Sequence, residues 1–234
     1  MRGLSLLLLG ACASGGQPDV PDAPRVDGMH VDTVVIDAPP MQTLSQTASN
    51  TMEPGTSQTC QAMSSGTAAN NYYRVFDLAA FNITSDFLVS SVSFQVEHCD
   101  DLTGTNGATV VVRVGTYSGT PGETLTLANM TLLKSVNGVA IPEVIEDLGP
   151  PPVSAGATVN VPISATIPAG QKMFVEIDAP DGNGLYELYM GANNDGEMGF
   201  GYVLAPTCTI NAPTNISTLA GEPLHLLISV SGSY

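Results

Sequence analysis

The sequence is poor in basic residues. Lys and Arg number 6 against 22 Asp and Glu, which gives a formal net charge of −16. Nucleic-acid binding depends on neutralising phosphates with basic side chains, so this balance argues against a nucleic-acid partner. Beyond the N-terminus, no apolar run approaches the roughly 20 residues that a membrane-spanning helix needs. Trp is absent and charged residues make up only 12%, whereas Gly and Pro number 24 and 17, a composition typical of short strands joined by tight turns.

Motifs of common catalytic and metal sites are also missing. No two cysteines have the C-x-x-C spacing of redox and zinc sites, and no G-x-S-x-G nucleophile elbow occurs. The three histidines, His30, His98 and His225, lie far apart in the sequence, and we interpret them as solvated or second-face residues rather than as catalytic bases. We therefore predict that the protein is not an enzyme and needs no cofactor.

The N-terminal residues have the features of an export signal. They read M-R-G-L-S-L-L-L-L-G-A-C, with one basic residue before a short apolar run. The stretch Leu9–Cys12 resembles the lipobox of bacterial lipoprotein signal peptides. The resemblance implies that residues 1–11 are removed and that Cys12 carries acyl chains, whose burial contributes about 0.8 kcal/mol per CH₂ group. We predict a lipid-anchored protein of the bacterial cell envelope, at the outer membrane or cell surface; the alternative is a buried N-terminal strand.

The composition changes sharply after Cys12. Up to residue 50, the chain contains five Pro, five Asp and a single Arg, and it has no aromatic residue. Such a segment cannot bury enough apolar surface to offset the entropy of ordering, and its like charges repel one another. We predict that residues 12–50 form a disordered acidic linker and that residues 51–234 form the folded domain.

Alternating apolar residues dominate the rest of the chain. Val92, Phe94 and Val96 alternate with polar residues, which is the period of a strand with one face in a core. Further segments of the same kind predict eight to ten short strands and no convincing helix, which indicates an all-β fold, an antiparallel β-sandwich of the jelly-roll type. These segments are residues 72–78, 88–97, 109–117, 125–136, 157–163, 172–177, 186–190, 200–204 and 224–230.

Several segments of this domain resemble a module that recurs in secreted bacterial multidomain proteins. The matching segments include N-N-Y-Y-R-V-F at 70–76, I-P-A-G-Q-K-M-F-V-E at 167–176 and P-D-G at 180–182. The resemblance extends over about residues 70–230 and implies a β-sandwich accessory module without assigned chemistry.

The cysteines predict one disulfide. If Cys12 carries lipid, then Cys60, Cys99 and Cys208 remain in an oxidising compartment, where three thiols cannot all pair internally. We favour Cys60–Cys208, because this bridge would fasten the start of the domain near its last strands. The alternative is Cys99–Cys208.

Acidic and aromatic residues cluster after residue 175. Glycoside hydrolysis needs two carboxylates across a cleft, but the available ones, Glu176, Asp178, Asp181 and Glu187, fall around one hairpin. Loop oxygens favour calcium, with Asp178, Asp181, Asn183 and Asp195 as candidate ligands, although the same residues are ordinary turn formers. Tyr186 and Tyr189 could stack on a sugar, but residues three apart on a strand point to opposite faces.

These observations predict a surface-anchored, non-catalytic β-sandwich lipoprotein that binds a glycan or protein ligand. Two alternatives remain: a secreted hydrolase of glycans or peptides, and an envelope lipoprotein with a structural role and no ligand.

Overall fold

The described part of the chain consists mainly of antiparallel strands. The computed structural model describes residues 39–62, 65–104, 107–145 and 156–234. The predicted signal peptide, Cys12, His30 and most of the predicted linker lie outside these ranges. No helix within them has the length and apolar character to cross a membrane.

The described part of the chain contains thirteen strands, three short 3₁₀ turns and one five-residue helix. The strands are β1 Met41–Ser45, β2 Asn70–Asp77, β3 Phe87–Asp101, β4 Thr109–Tyr117, β5 Met130–Ala140, β6 Ala157–Ile167, β7 Lys172–Ala179, β8 Tyr186–Met190, β9 Ala192–Asn193, β10 Gly201–Ala205, β11 Ile210–Asn215, β12 His225–Leu226 and β13 Ile228–Ser233. The 3₁₀ turns are Leu78–Phe81, Leu127–Asn129 and Pro206–Cys208, and helix α1 is Ile216–Ala220.

The strands form two large sheets. One has the order β1-β13-β3-β6, with β8 also paired to β3, and the other has the order β11-β10-β2-β7-β4-β5. A two-stranded sheet pairs β12 with β9. Every pairing is antiparallel. The prediction of an all-β antiparallel sandwich is therefore confirmed.

The alternating pattern sets which side chains fill the core. Along β3, Val92, Phe94 and Val96 are at most 1% exposed, as their period predicts. They share one apolar cluster with side chains of the six-stranded sheet, including Phe76 and Val112. Burial of each such side chain contributes about 1.5–3 kcal/mol, so this cluster is the main source of stability.

Strand β2 is buried on both faces. Tyr72 and Phe76 belong to the main core, whereas Tyr73 and Val75 pack on the other face with Phe174 and other residues. This second apolar cluster also includes Tyr117, Leu125 and Tyr202. The near-continuous apolar character of β2 reflects its position between β7 and β10, inside the sheet.

One strand lies inside the range predicted to be linker. Strand β1 pairs with β13 in the register Leu44↔Val230, and the Leu44 side chain is fully buried. The boundary at residue 50 is therefore corrected, because residues 41–45 belong to the sandwich. The many Pro and Asp before residue 41 set the average composition of this range and conceal Leu44, which belongs to the core.

A charged side chain lies in the core beside the apolar ones. Arg74 is 0% exposed, and its Nη1 atom lies 3.1 Å from Oε2 of Glu197. The same oxygen lies 3.2 Å from Nδ1 of His225. Arg74 also donates hydrogen bonds to the carbonyl oxygens of Leu226, at 3.1 and 2.7 Å, and of Gly199. Burial lowers the pKa of Arg74, and the charge of Glu197 opposes that shift.

We predict that Arg74→Met destabilises the domain by about 3–5 kcal/mol, because it leaves Glu197 without its buried cation. Urea unfolding measures the loss. The matched control is Arg113→Met, whose partly exposed ion pairs should contribute about 1 kcal/mol or less. Adding Glu197→Gln to Arg74→Met should restore part of the stability. Equal losses for the two Arg variants would contradict the prediction.

Candidate functional site

A cleft of about 710 Å³ opens beside the Cys60–Cys208 disulfide. This volume lies in the range of about 300–1,000 Å³ that is usual for small-ligand sites. The cleft is formed by the segment before β2, by strands β10 and β11, and by helix α1. Its described lining consists of Gln58, Thr59, Cys60, Asn70, Val203, Ala205, Cys208, Thr209, Ile210, Asn211, Ala212, Thr214 and Leu219.

The disulfide joins the two sides of this cleft. The Cα atoms of Cys60 and Cys208 are 5.9 Å apart and 148 residues apart in sequence. The structure thus contains the favoured pairing and not the alternative Cys99–Cys208. Cys99 is a buried free thiol, and burial raises its pKa to about 11, so it is protonated and unreactive near neutral pH.

Asn70 fixes the wall that carries Cys60. Its side-chain oxygen accepts a hydrogen bond from the Cys60 amide at 2.9 Å. Its side-chain nitrogen donates to the carbonyl oxygens of Ala68, at 2.7 Å, and of Cys60, at 3.2 Å. Tyr72 donates from its hydroxyl to the carbonyl oxygen of Gln58 at 3.3 Å. This wall is therefore held by buried side chains of β2 and needs no ligand for order.

A second part of the lining belongs to an irregular part of β11. Val203 pairs with Thr214 and Ala205 with Ile210, so one residue of β10 stands opposite three residues of β11. Such a bulge displaces the strand and redirects its side chains. Thr209, next to Cys208, has φ of 65°, a rare conformation for a β-branched residue. Thr209 ends the 3₁₀ turn Pro206–Cys208, and its amide donates to the carbonyl oxygen of Pro206 at 2.9 Å.

The described lining of the cleft carries no charged side chain. These neutral residues belong to a chain whose net charge is −16. They combine neutral hydrogen-bonding groups with an apolar patch that includes Ile210 and Leu219. The arrangement suits a neutral ligand with both hydroxyl groups and apolar faces.

The predicted carboxylates lie elsewhere and have structural partners. Arg113 lies 3.0 Å from Oε1 of Glu176 and 2.8 Å from Oδ2 of Asp178, on one face of the six-stranded sheet. Asp181 accepts a hydrogen bond from the amide of Asn183 at 3.1 Å, within a turn. Glu176 and Asp178 therefore form an ion-pair network with Arg113 instead of facing each other across a cleft.

Glu187 belongs to the other sheet. Its Oε2 atom lies 3.6 Å from Nε2 of His98, and the His98 ring packs on Tyr189 with centroids 5.1 Å apart. Tyr186 is buried, donates a hydrogen bond to the carbonyl oxygen of Pro180 at 2.7 Å, and has a pKa raised by burial to about 12. The two tyrosines thus occupy opposite faces of β8, as their spacing predicts.

The calcium candidates are not brought together. The described residues contain no group of three or more His, Cys, Asp or Glu placed to hold a metal ion. Asp178 is paired with Arg113, and Asp181 stabilises its own turn, as reported above. Asp195 lies in the loop between β9 and β10 and is exposed.

Sequence reasoning did not identify the cleft residues. Thr209, Asn211 and Thr214 are neutral, and Asn and Thr are common in turns, so no motif distinguished them. The available signal was Cys208, whose bridge to Cys60 predicts that the segment after it lies beside the segment before β2.

Comparison with known proteins gives one structural similarity. No protein-family model matches the chain, and no curated protein matches it. A solved structure of the cysteine protease and lectin-like domains of Cwp84, a surface layer associated protein of Clostridium difficile, aligns with a TM-score of 0.44 and 18% sequence identity. The alignment covers 77% of this chain and 36% of that chain, so this chain spans about a third of its length.

We predict that the double variant Cys60→Ser, Cys208→Ser loses about 2–5 kcal/mol of unfolding free energy, because the bridge closes a long loop in the unfolded chain. Urea unfolding with and without dithiothreitol checks this. The reductant should lower the stability of the wild type to that of the variant and leave the variant unchanged. A wild type that is equally stable after verified reduction would contradict the prediction.

Proposed function

We propose that this protein is a non-catalytic binding module of the bacterial cell envelope, anchored through Cys12, and that its cleft beside Cys60–Cys208 binds a neutral carbohydrate. The observation that carries the proposal is the composition of the cleft. Its described lining is neutral and amphipathic within a strongly acidic protein.

The chemistry of the lining favours a sugar over other small ligands. A charged ligand entering the cleft would lose hydration without meeting an opposite charge among the described lining residues. A sugar presents hydroxyl groups that can pair with neutral side chains such as Gln58, Thr59 and Asn211, and C–H faces that can cover Ile210 and Leu219.

Preorganised walls support a binding role. The disulfide, the Asn70 hydrogen bonds and the bulge of β11 hold both sides of the cleft in place without a ligand. A ligand therefore does not have to order these segments, and less binding energy is lost on association.

The predicted anchor and linker fit this role. Acyl chains on Cys12 would hold the protein at a membrane, and a self-repelling acidic linker would extend the domain away from the surface. The net charge of −16 would also keep the domain off anionic lipid headgroups. A domain presented in this way is placed to meet glycans outside the membrane.

We predict that Asn211→Ala and Thr214→Val each weaken carbohydrate binding up to about tenfold, because each removes a hydrogen-bonding group from the cleft. Isothermal titration calorimetry with neutral cello-, xylo- and malto-oligosaccharides measures this. Asn137→Ala and Thr131→Val, on exposed positions of β5 outside the cleft, are the matched controls.

Three results would contradict the carbohydrate proposal. They are no binding of any neutral oligosaccharide, equal binding by the cleft and control variants, and binding of uncharged peptides in preference to the sugars.

We predict that the protein made in a bacterial host fractionates with membranes and that Cys12→Ser moves it to the soluble fraction, because the acyl chains are lost. Intact mass spectrometry of the membrane-extracted protein should show the acyl mass. Cys99→Ser is the control for Cys substitution and should stay in the membrane fraction. A mature protein without added acyl mass would contradict the anchor, and it would leave the cleft experiment unaffected.

A further inference from the structure

A second cavity lies between the end of β2, the following 3₁₀ turn and the loop before β10. It encloses about 340 Å³ and is here called the Phe200 pocket. None of its described lining residues also lines the cleft. The lining consists of Gln46, Val75, Asp77, Ala80, Phe81, Pro121, Glu197, Met198, Gly199 and Phe200.

The lining of the Phe200 pocket includes aromatic and apolar side chains. Phe200 is 38% exposed and Met198 is 77% exposed. The Phe200 ring packs edge-on against Tyr202 with centroids 6.3 Å apart, and Phe81 packs on Phe76 at the same distance. Phe81 and Phe200 each pack on a second aromatic ring, and neither is fully buried. The faces of aromatic rings attract cations.

The described lining of the same pocket includes two carboxylates, those of Asp77 and Glu197. Asp77 is exposed, and its Oδ1 atom caps the turn by accepting from the amide of Ala79 at 3.2 Å. Glu197 is 9% exposed and is neutralised by the fully buried Arg74. The carboxylate of Asp77 therefore gives the pocket a net negative charge, and the whole chain carries a net charge of −16. Gln46 is 5% exposed, and its side-chain oxygen has no hydrogen-bond partner among the described residues.

The loop that carries Met198 and Phe200 is already ordered. The amide of Met198 donates to the carbonyl oxygen of Gln46 at 2.7 Å, and the amide of Ala48 donates to that of Gly196 at 2.9 Å. Gly196 has φ of 103°, which only glycine adopts readily, so the loop sequence supports this turn. Because the walls are fixed in advance, a small ligand would lose little free energy to their ordering.

From these features we infer that the Phe200 pocket binds an alkylammonium group, a small organic cation with an apolar stem. The cation meets Asp77 and the faces of Phe81 and Phe200, and the stem covers Met198 and Pro121. Neither an anion nor a neutral alcohol gains the charge attraction. A free amine and the side chain of Lys in a peptide both present this group, so both are used as probes.

The test compares two probes of nearly equal size on the full chain. Methionine methyl groups are labelled with ¹³C, the Met198 signal is assigned with Met198→Leu, and the protein is titrated with n-butylammonium chloride or with butan-1-ol at constant ionic strength. We expect n-butylammonium to shift the Met198 signal and to bind at least about fivefold more tightly than butan-1-ol.

Two variants separate the charge and the ring contributions. Asp77→Asn removes the charge, while the Asn side chain can still cap the turn. Phe200→Leu removes an aromatic face. Each variant should bind n-butylammonium about fivefold more weakly than the wild type does. Asp195→Asn, an exposed acid of the same loop outside the described lining, is the matched control and should leave binding unchanged.

A third probe, Nα-acetyl-lysine methylamide, distinguishes Lys side chains from free amines as the ligand. If it binds as tightly as n-butylammonium, the pocket takes Lys side chains; if it does not, the pocket takes free amines. The inference is overturned if n-butylammonium does not bind, if butan-1-ol binds equally well, or if Asp77→Asn and Phe200→Leu bind as the wild type does. These outcomes are independent of the carbohydrate experiment.

Discussion

The buried charge of Arg74 constrains how three segments of the structure fit together. A guanidinium with no exposure is costly unless it is paired and hydrogen-bonded, and here one carboxylate and two carbonyl groups are its partners. These partners lie on the loop before β10 and on β12. The ion pair therefore holds the segment that carries Glu197, Met198 and Phe200 against the central strand β2.

The sandwich carries two candidate binding surfaces whose walls depend on different constraints. The cleft relies on a covalent bridge, the side chain of Asn70 and a bulge in β11. The Phe200 pocket relies on the buried ion pair and on backbone hydrogen bonds to residues 46–48. Because the supports are separate, a change at one surface need not alter the other, and the surfaces can take ligands of different chemistry.

The distribution of charge distinguishes these surfaces. Most acidic residues of the described part serve structure: Glu176 and Asp178 pair with Arg113, and Glu97 accepts a hydrogen bond from the amide of Ser57 at 3.1 Å. The described lining of the cleft has no such charge, whereas the Phe200 pocket retains Asp77. A neutral polar ligand and an organic cation are the respective chemical complements.

The sequence by itself determined the fold class and most strand positions, because side-chain alternation is a local property of each strand. It also indicated the Cys60–Cys208 bridge through the position of the cysteines along the chain. Only the tertiary structure decided that Leu44 belongs to the core, that Arg74 is buried and that Thr209 borders a cleft. Each of these depends on partners far away in sequence, such as Leu226, which is 152 residues from Arg74. Contacts of that range follow from how distant strands and loops pair and pack, which no local pattern records.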